Sequence, residues 1–285
     1  MTSHSQQTYL DELKRAYPGL AELSHRRYAI KFGGAAMESE QVCEAVCREL
    51  ATLHTLGLQI VVIHGGGKEI SRLLERLSIP SQFIGGLRVT SREAMVATEM
   101  VLSGATNKRL VSYINRFGAT AVGVSGRDGR LLEARVLRGP GGEDLGHTGE
   151  VSRCDPTLLT TLLQAGMLPV ISPVGEIPSG EALNLNADYA AAAISGALRA
   201  EKSIFLTDVD GVRAHSAVQA ELSAAQIQQL IDSGEISGGM IPKVTCALRA
   251  VASGAHEAVI CNAGQPYSIS RALLGMPNSG TRITA

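Results

Sequence analysis

The 285-residue sequence has no tryptophan, and aromatics make up 4% of it. Proteins that hold single-stranded nucleic acid stack bases on aromatic rings, so that role is not expected. Neither sign of charge dominates, because 26 Lys and Arg nearly cancel 27 Asp and Glu. A balanced surface gives no bulk attraction for nucleic acid or an anionic membrane, and any anion site must be local. No apolar run approaches the ~18 residues of a membrane span, and the polar N-terminus lacks the pattern of a signal segment, so a cytoplasmic protein is expected. The cysteines (Cys43, Cys47, Cys154, Cys246, Cys261) are odd in number and contain no CxxC. That spacing favours reduced core thiols over a disulfide framework or a zinc site, and no metal-ligating residue is assigned. The Walker pattern GxxxxGK[ST] and a GxGxxG after a strand are also missing, which excludes a P-loop enzyme and a standard dinucleotide fold.

With 45% hydrophobic residues, the chain has enough apolar material for a large core. Apolar β-branched runs alternate with amphipathic stretches. Strands are expected at residues 28–31, 59–63, 121–124, 168–172, 203–206 and 257–261. Helices are expected at 40–56, 69–77, 92–102, 106–116, 156–165, 187–198, 224–233 and 241–253. Such alternation predicts an α/β fold, with a mainly parallel open sheet between helices on both faces. Residues 131–151 break the pattern with polar and Gly-Pro-rich stretches, read as β-hairpins covering something. Residues 1–7 read as loose, and 8–17 as a short amphipathic helix stopped by Pro18-Gly19. Residues 1–27 are thus an N-terminal arm, lying on its own domain or reaching another subunit, and 28–285 form one domain without a linker.

Two glycine-rich segments follow strands: Lys31-Phe32-Gly33-Gly34 and His64-Gly65-Gly66-Gly67. A corner without side chains lets backbone N–H groups approach a ligand, and a following helix N-terminus adds positive partial charge. Two such corners, one carrying Lys31, with Lys243 far downstream, suit a site for two anionic ligands. Thr207-Asp208-Val209-Asp210-Gly211-Val212 forms a third corner at the end of a strand, where open α/β sheets gather ligands.

These segments, with Gly86-Leu87-Arg88-Val89-Thr90, Asn184-Leu185-Asn186-Ala187-Asp188 and Ser237-Gly238-Gly239-Met240-Ile241-Pro242-Lys243, stand in an order that resembles the amino-acid kinase family from about residue 28 onward. Within it, Gly-Leu-Arg-Val-Thr and Asn-x-Asn-Ala-Asp resemble the branch acting on N-acetyl-L-glutamate. The resemblance implies a three-layer αβα sandwich, with an acceptor-binding and dimerisation lobe at about 28–180 and a nucleotide lobe at about 181–285. It also implies transfer of the ATP γ-phosphate to a side-chain carboxylate. A carboxylate with pKa near ~4.3 is already ionised at neutral pH, so the task is countering charge rather than removing a proton.

By the same resemblance, Lys31 and Lys243 flank the transferred group and Asp188 organises both ammonium groups. Gly66, Gly67, Arg88 and Asn184 take the acceptor, and Gly33 and Gly34 face the ATP phosphates. Thr207, Asp208, Val209, Gly211, Arg213, Ile236 and Ser237 match the adenine and ribose region. Mg²⁺ is implied as ATP's companion, held mainly by phosphate oxygens and water. Read singly, each residue has a plainer explanation: Asp188 a helix cap, Asn184 a turn residue, Arg88 a structural arginine whose fork would otherwise hold a carboxylate bidentately. Acceptors with a longer chain or a carrier, and a non-catalytic regulatory module, stay as alternatives.

Some positions depart from the family pattern. Ala35 stands where relatives often have Asn, and Lys68 where proline is frequent. The segment from Val259 to Pro266 lacks the Asp-Gly-Arg and His-rich stretch linked to arginine inhibition in some members. A homodimer is expected, and a hexamer through the N-terminal helix stays open.

Overall fold

A computed structural model of the chain describes residues 3 to 284. Its frame is an eight-stranded sheet, running in spatial order through Glu221–Ser223, Thr281–Thr284, Glu257–Asn262, Lys202–Thr207, Arg27–Phe32, Gln59–His64, Leu168–Ser172 and Ala121–Ser125. Every neighbouring pair is parallel except Glu257–Asn262 with Thr281–Thr284. The central strands are nearly continuous apolar runs because both of their faces are covered.

Alternation along the strands sorts the core into two layers. Tyr28, Ile30 and Phe32 pack on one side with Val46, Leu50, Leu110 and Ile269, while Ala29 packs on the other with Ala190, Ile194, Val244 and Ala247. One layer thus holds the helices Glu40–Thr55, Asn107–Arg116 and Ser268–Leu273, and the other holds Ala187–Ala197 and Met240–Ala252. Each fully buried large side chain contributes about 1.5–3 kcal/mol. The two core layers fix the three-layer sandwich. Cys43, Cys47, Cys246 and Cys261 are buried in it as free thiols, and Cys154 is half-buried.

Local chemistry sets the helix starts. Ser39 accepts from Val42 N at 3.3 Å, Ser91 from Ala94 N at 3.1 Å, and Asn186 from Asp188 N at 2.8 Å. These caps satisfy N–H groups that a helix start leaves without partners.

Several expectations change. The first helix spans Ser3–Ala16, so residues 3–7 belong to it; residues 1 and 2 lie outside the described residues. The helices expected at 92–102 and 106–116 form one continuous rod, because a π-helical stretch, Met100–Thr106, bridges Arg92–Glu99 and Asn107–Arg116. The expected gap between them, which includes Ser103-Gly104, is closed because i→i+5 bonding carries the chain through. The strands Glu221–Ser223 and Thr281–Thr284 and the helix Ser268–Leu273 are short and were not anticipated.

The hairpins expected over 131–151 form as Leu132–Arg138 paired with Asp144–Cys154. They also close, with Val174–Glu176 and Ala182–Leu185, into a small barrel. Closure pairs Asn184 with Thr148 and Ala182 with Glu176, partners that no local periodicity reveals. A further hairpin, Gln82–Ile84 with Leu87–Val89, is tied to the barrel by a bridge between Thr90 and Gly146. Gly146 has φ 61°, and a Cβ there would lie 2.4 Å from the Thr90 carbonyl oxygen, so only glycine fits this crossing.

Candidate active site

The parallel register brings the corners together. Lys31 lies opposite Ile63 and Phe205, and Phe32 opposite His64 and Leu206, so the three loops leave the sheet at one edge. The first two corners abut directly: Gly65 N donates to Phe32 O at 2.9 Å, and a Cβ on Gly33 would meet Lys31 Nζ at 3.2 Å and Gly65 N at 3.3 Å. A side chain at Gly33 would therefore crowd the ammonium group.

Lys31 Nζ lies 2.8 Å from Asp188 Oδ1, with the side chains 12% and 20% exposed. Asn186 caps the helix that carries Asp188, which leaves the Asp188 carboxylate for the lysine. The pair lines a cavity of about 240 Å³ together with Gly34, Gly66, Gly67, Arg88, Thr148 and Asn184. Two cationic side chains, Lys31 and Arg88, and bare glycine backbone make it suited to an anion of metabolite size.

Arg88 is 5% exposed. Its Nη2 donates to Gly67 O at 2.8 Å and to Ser71 Oγ at 2.9 Å, Nη1 donates to Ser81 Oγ, and the guanidinium lies 4.6 Å from the Phe83 ring centre. Burial pulls its pKa below the ordinary arginine value. Of five N–H donors, Nε–H and one on Nη1 are left for a ligand. Those two do not share an edge of the guanidinium, so a bidentate grip requires Nη2 to release Gly67 or Ser71.

Asn184 is oriented by a chain of hydroxyl groups. Thr148 Oγ1 donates to the Arg88 carbonyl, which accepts only. The 2.8 Å contact between Thr90 Oγ1 and Thr148 Oγ1 must then use the Thr90 proton. Thr90 Oγ1 receives from Asn184 Nδ2 at 3.2 Å. The amide is thereby fixed, with Oδ1 and one N–H of Nδ2 available to a ligand. Thr148 comes from the segment expected to cover something, and Thr90 from a quoted motif, but neither showed this role in the sequence.

The residues expected on the nucleotide side form a separate, more exposed group. Thr207 is buried; its Oγ1 accepts from Val209 N at 3.1 Å and reaches Cys261 O at 3.4 Å. Asp208, Val209 and Asp210 are exposed, and Asp210 Oδ1 accepts from Asn262 Nδ2 at 2.8 Å. Gly211 has φ 150°, and a Cβ there would meet Thr281 Oγ1 at 2.7 Å, so the missed C-terminal strand shapes this corner. Arg213 is exposed and donates to Ser216 O at 3.3 Å. Ile236 is buried and Ser237 exposed. Lys243, half-buried, donates to Gly239 O at 3.4 Å and is not among the residues lining the Lys31 cavity.

The sequence matches the family model described as "Amino acid kinase family" over residues 26–262. It is 44% identical over 283 residues to the acetylglutamate kinase of Gluconobacter oxydans, covering 96% of each chain. The chloroplastic acetylglutamate kinase of Arabidopsis thaliana is 41% identical over 276 residues, covering 95% of this chain and 79% of the relative. Among solved structures, the N-acetylglutamate synthase of Neisseria gonorrhoeae complexed with coenzyme A and N-acetyl-glutamate shares the fold at a TM-score of 0.82 and 22% identity. That match covers 100% of this chain and 64% of the synthase. The chain therefore belongs to the amino acid kinase family.

Proposed function

We propose that the protein transfers the γ-phosphoryl group of ATP to the side-chain carboxylate of N-acetyl-L-glutamate, giving N-acetyl-L-glutamyl 5-phosphate and ADP, a step of L-arginine biosynthesis. A carboxylate oxygen attacks the γ-phosphorus while its bond to the β–γ bridging oxygen breaks. The observation that carries this reading is the junction of the two glycine corners over Lys31, in one cavity with Arg88 and Asn184. The identity of 41–44% to acetylglutamate kinases over nearly the whole chain supports the same acceptor.

In this reading Lys31 counters charge on the group in flight, and Asp188 holds its ammonium in place. Gly66 and Gly67 N–H groups take the acceptor carboxylate and the transferred group. Arg88 and Asn184 hold the acceptor's remaining polar groups. Gly33, Gly34, Thr207, Asp208, Val209, Gly211, Arg213, Ile236 and Ser237 form the ATP side, and Lys243 approaches from there. Among the described residues lining the cavity, Asp188 is the sole carboxylate and is paired with Lys31, so Mg²⁺ would be held by phosphate oxygens and water. That ion would supply charge neutralisation on the β- and γ-phosphates.

A homodimer fits an apolar face on the long helix. Val96 is 52% and Met100 63% exposed there, beside a groove that also involves Leu73 and Val101. No described helix is long and apolar enough to cross a membrane, and a cytoplasmic location accords with the free cysteines.

ADP release in the presence of ATP and Mg²⁺ tests the reaction, with N-acetyl-L-glutamate, L-glutamate and N-acetylaminoadipate as acceptors. Turnover is expected with the first. Turnover of N-acetylaminoadipate alone would replace the acceptor, and no turnover with any would favour a binding module.

A further inference from the structure

Among the buried titratable groups that the proposed reaction leaves unused, His64 adjoins the site. His64 ends the strand Gln59–His64 immediately before the second glycine corner, and it has no solvent exposure. Its Nδ1 lies 2.8 Å from the carbonyl oxygen of Gly65. A carbonyl only accepts, so Nδ1 carries a proton. Nε2 lies 3.2 Å from Asn107 Nδ2, a donor, so Nε2 is the unprotonated nitrogen.

The orientation of Asn107 is itself fixed from outside. Lys108 Nζ donates to Asn107 Oδ1 at 3.1 Å and to Gly123 O at 3.0 Å, and Asn107 Nδ2 also donates to Val170 O at 2.9 Å. A Cβ at Gly123 would lie 1.9 Å from Asn107 Oδ1, so that strand position has to be bare for the amide to fit. Hydrogen-bond direction therefore runs from Lys108 through Asn107 to His64 and on to Gly65. Burial holds the imidazole neutral, with its pKa pulled down to about 4. A second ring proton would face the Asn107 amide hydrogens.

The peptide between Gly65 and Gly66 is trans, so its C=O and N–H point in opposite directions. Gly66 has no Cβ to restrain that plane and sits with Leu102 close by. Among the described residues no acceptor takes the Gly66 N–H, and Gly66 lines the cavity. We infer that His64 is a positioning residue: by holding the Gly65 carbonyl in the protein interior it aims the Gly66 N–H at the transferred group. The inference rests on the proposed reading of the cavity. It assigns to the histidine of this corner a part in preorganising the transition state, apart from any proton transfer.

Steady-state kinetics of His64→Asn, His64→Gln and Asn107→Leu test it, with thermal unfolding measured in parallel. Asparagine places an amide nitrogen near the position of Nδ1, whereas glutamine places one near Nε2. His64→Asn is expected to keep kcat within about 3-fold, and His64→Gln to lose at least about 10-fold in kcat, with both KM values within about 3-fold. Asn107→Leu, similar in shape and free of the donor facing Nε2, is expected to lower kcat in the same pattern. A wild-type kcat in His64→Gln, or equal losses in the two His64 variants, overturns the inference. If His64→Gln does not fold, wild-type kcat in Asn107→Leu overturns it. Lys31→Ala separates the two levels. Retained turnover there removes the reading of the cavity itself, whereas its loss beside an active His64→Gln removes only the role of His64.

Discussion

Lys31 and Lys243 are expected to flank the same transferred group, yet they stand in unlike surroundings. Lys31 is 12% exposed and 2.8 Å from Asp188, between corners packed backbone to backbone. Lys243 is half-buried, and its ammonium donates at 3.4 Å to Gly239, the residue just before its own helix. The same contrast holds for their neighbours. Arg88 and Asn184 are bound through contacts spanning 7 to 94 residues of sequence and are buried or half-buried, whereas Asp208, Val209 and Arg213 are exposed and Arg213 bonds Ser216 three residues on. The acceptor side is enclosed in a tertiary network, whereas on the nucleotide side long-range bonds such as Asn262 to Asp210 and Val212 to Thr281 hold a corner whose side chains at Asp208, Val209 and Arg213 stand open. On the proposed reading the acceptor side is preorganised, and ATP completes the other side when it binds.

The largest expected effect separates the two lysines. Lys31→Ala should lower kcat at least about 10²-fold, as removal of one transition-state stabiliser does, and should leave Asp188 without its partner. Lys243→Ala should lower kcat about 10²-fold without changing acceptor affinity. A weaker acceptor in Lys243→Ala, measured by direct titration, would erase the distinction between the sides.

Arg88→Lys comes next. A lysine cannot hold Gly67, Ser71 and Ser81 in one plane, so the acceptor KM should rise by about 10-fold or more while the KM for ATP stays put. Equal rises in both KM values would mean that Arg88 supports the whole cleft.

Preorganisation also has a consequence for pH. His64 titrates near 6.5 when unfolded and at about 4 when folded, so the unfolded chain takes up its proton first as pH falls. Stability from the neutral ring is fully present above 6.5 and declines toward 4. Denaturant unfolding should show a loss on the order of 2 kcal/mol from this group between pH 7 and pH 5. Burial raises the Glu49 carboxyl in the opposite sense, but that contribution is shared with His64→Asn and cancels in the difference. Identical pH slopes in the two proteins would show that the ring is not held neutral.

Thr148→Val should have the smallest effect. It removes one hydroxyl from the chain that orients Asn184 and should raise the acceptor KM about 5-fold, near 1 kcal/mol, with kcat unchanged. Recovery in Thr148→Ser would tie the change to the hydroxyl, and failure to recover would tie it to packing.

The sandwich was legible because strand and helix periods differ and buried parallel strands are continuously apolar, as in Gln59–His64. The corners were legible because glycine after such a strand has few structural uses. Barrel closure was not, since the pairing of Asn184 with Thr148 joins strands far apart in sequence. The π-helical passage was hidden in the expected gap that includes Ser103-Gly104, yet it brings Leu102 against Gly66. Asn107 gave no local sign of its burial, and His64 stood in view inside a motif without a visible partner. Single residues suggested the acceptor groups, but their hydrogen-bond directions needed the tertiary network.

Calorimetric titration of N-acetyl-L-glutamate into the nucleotide-free protein measures preorganisation directly. Saturable binding is expected for the wild type and, with the same affinity, for Lys243→Ala, and it should weaken in Arg88→Lys. Binding that appears only after an ATP analogue is added would contradict a cavity formed in advance.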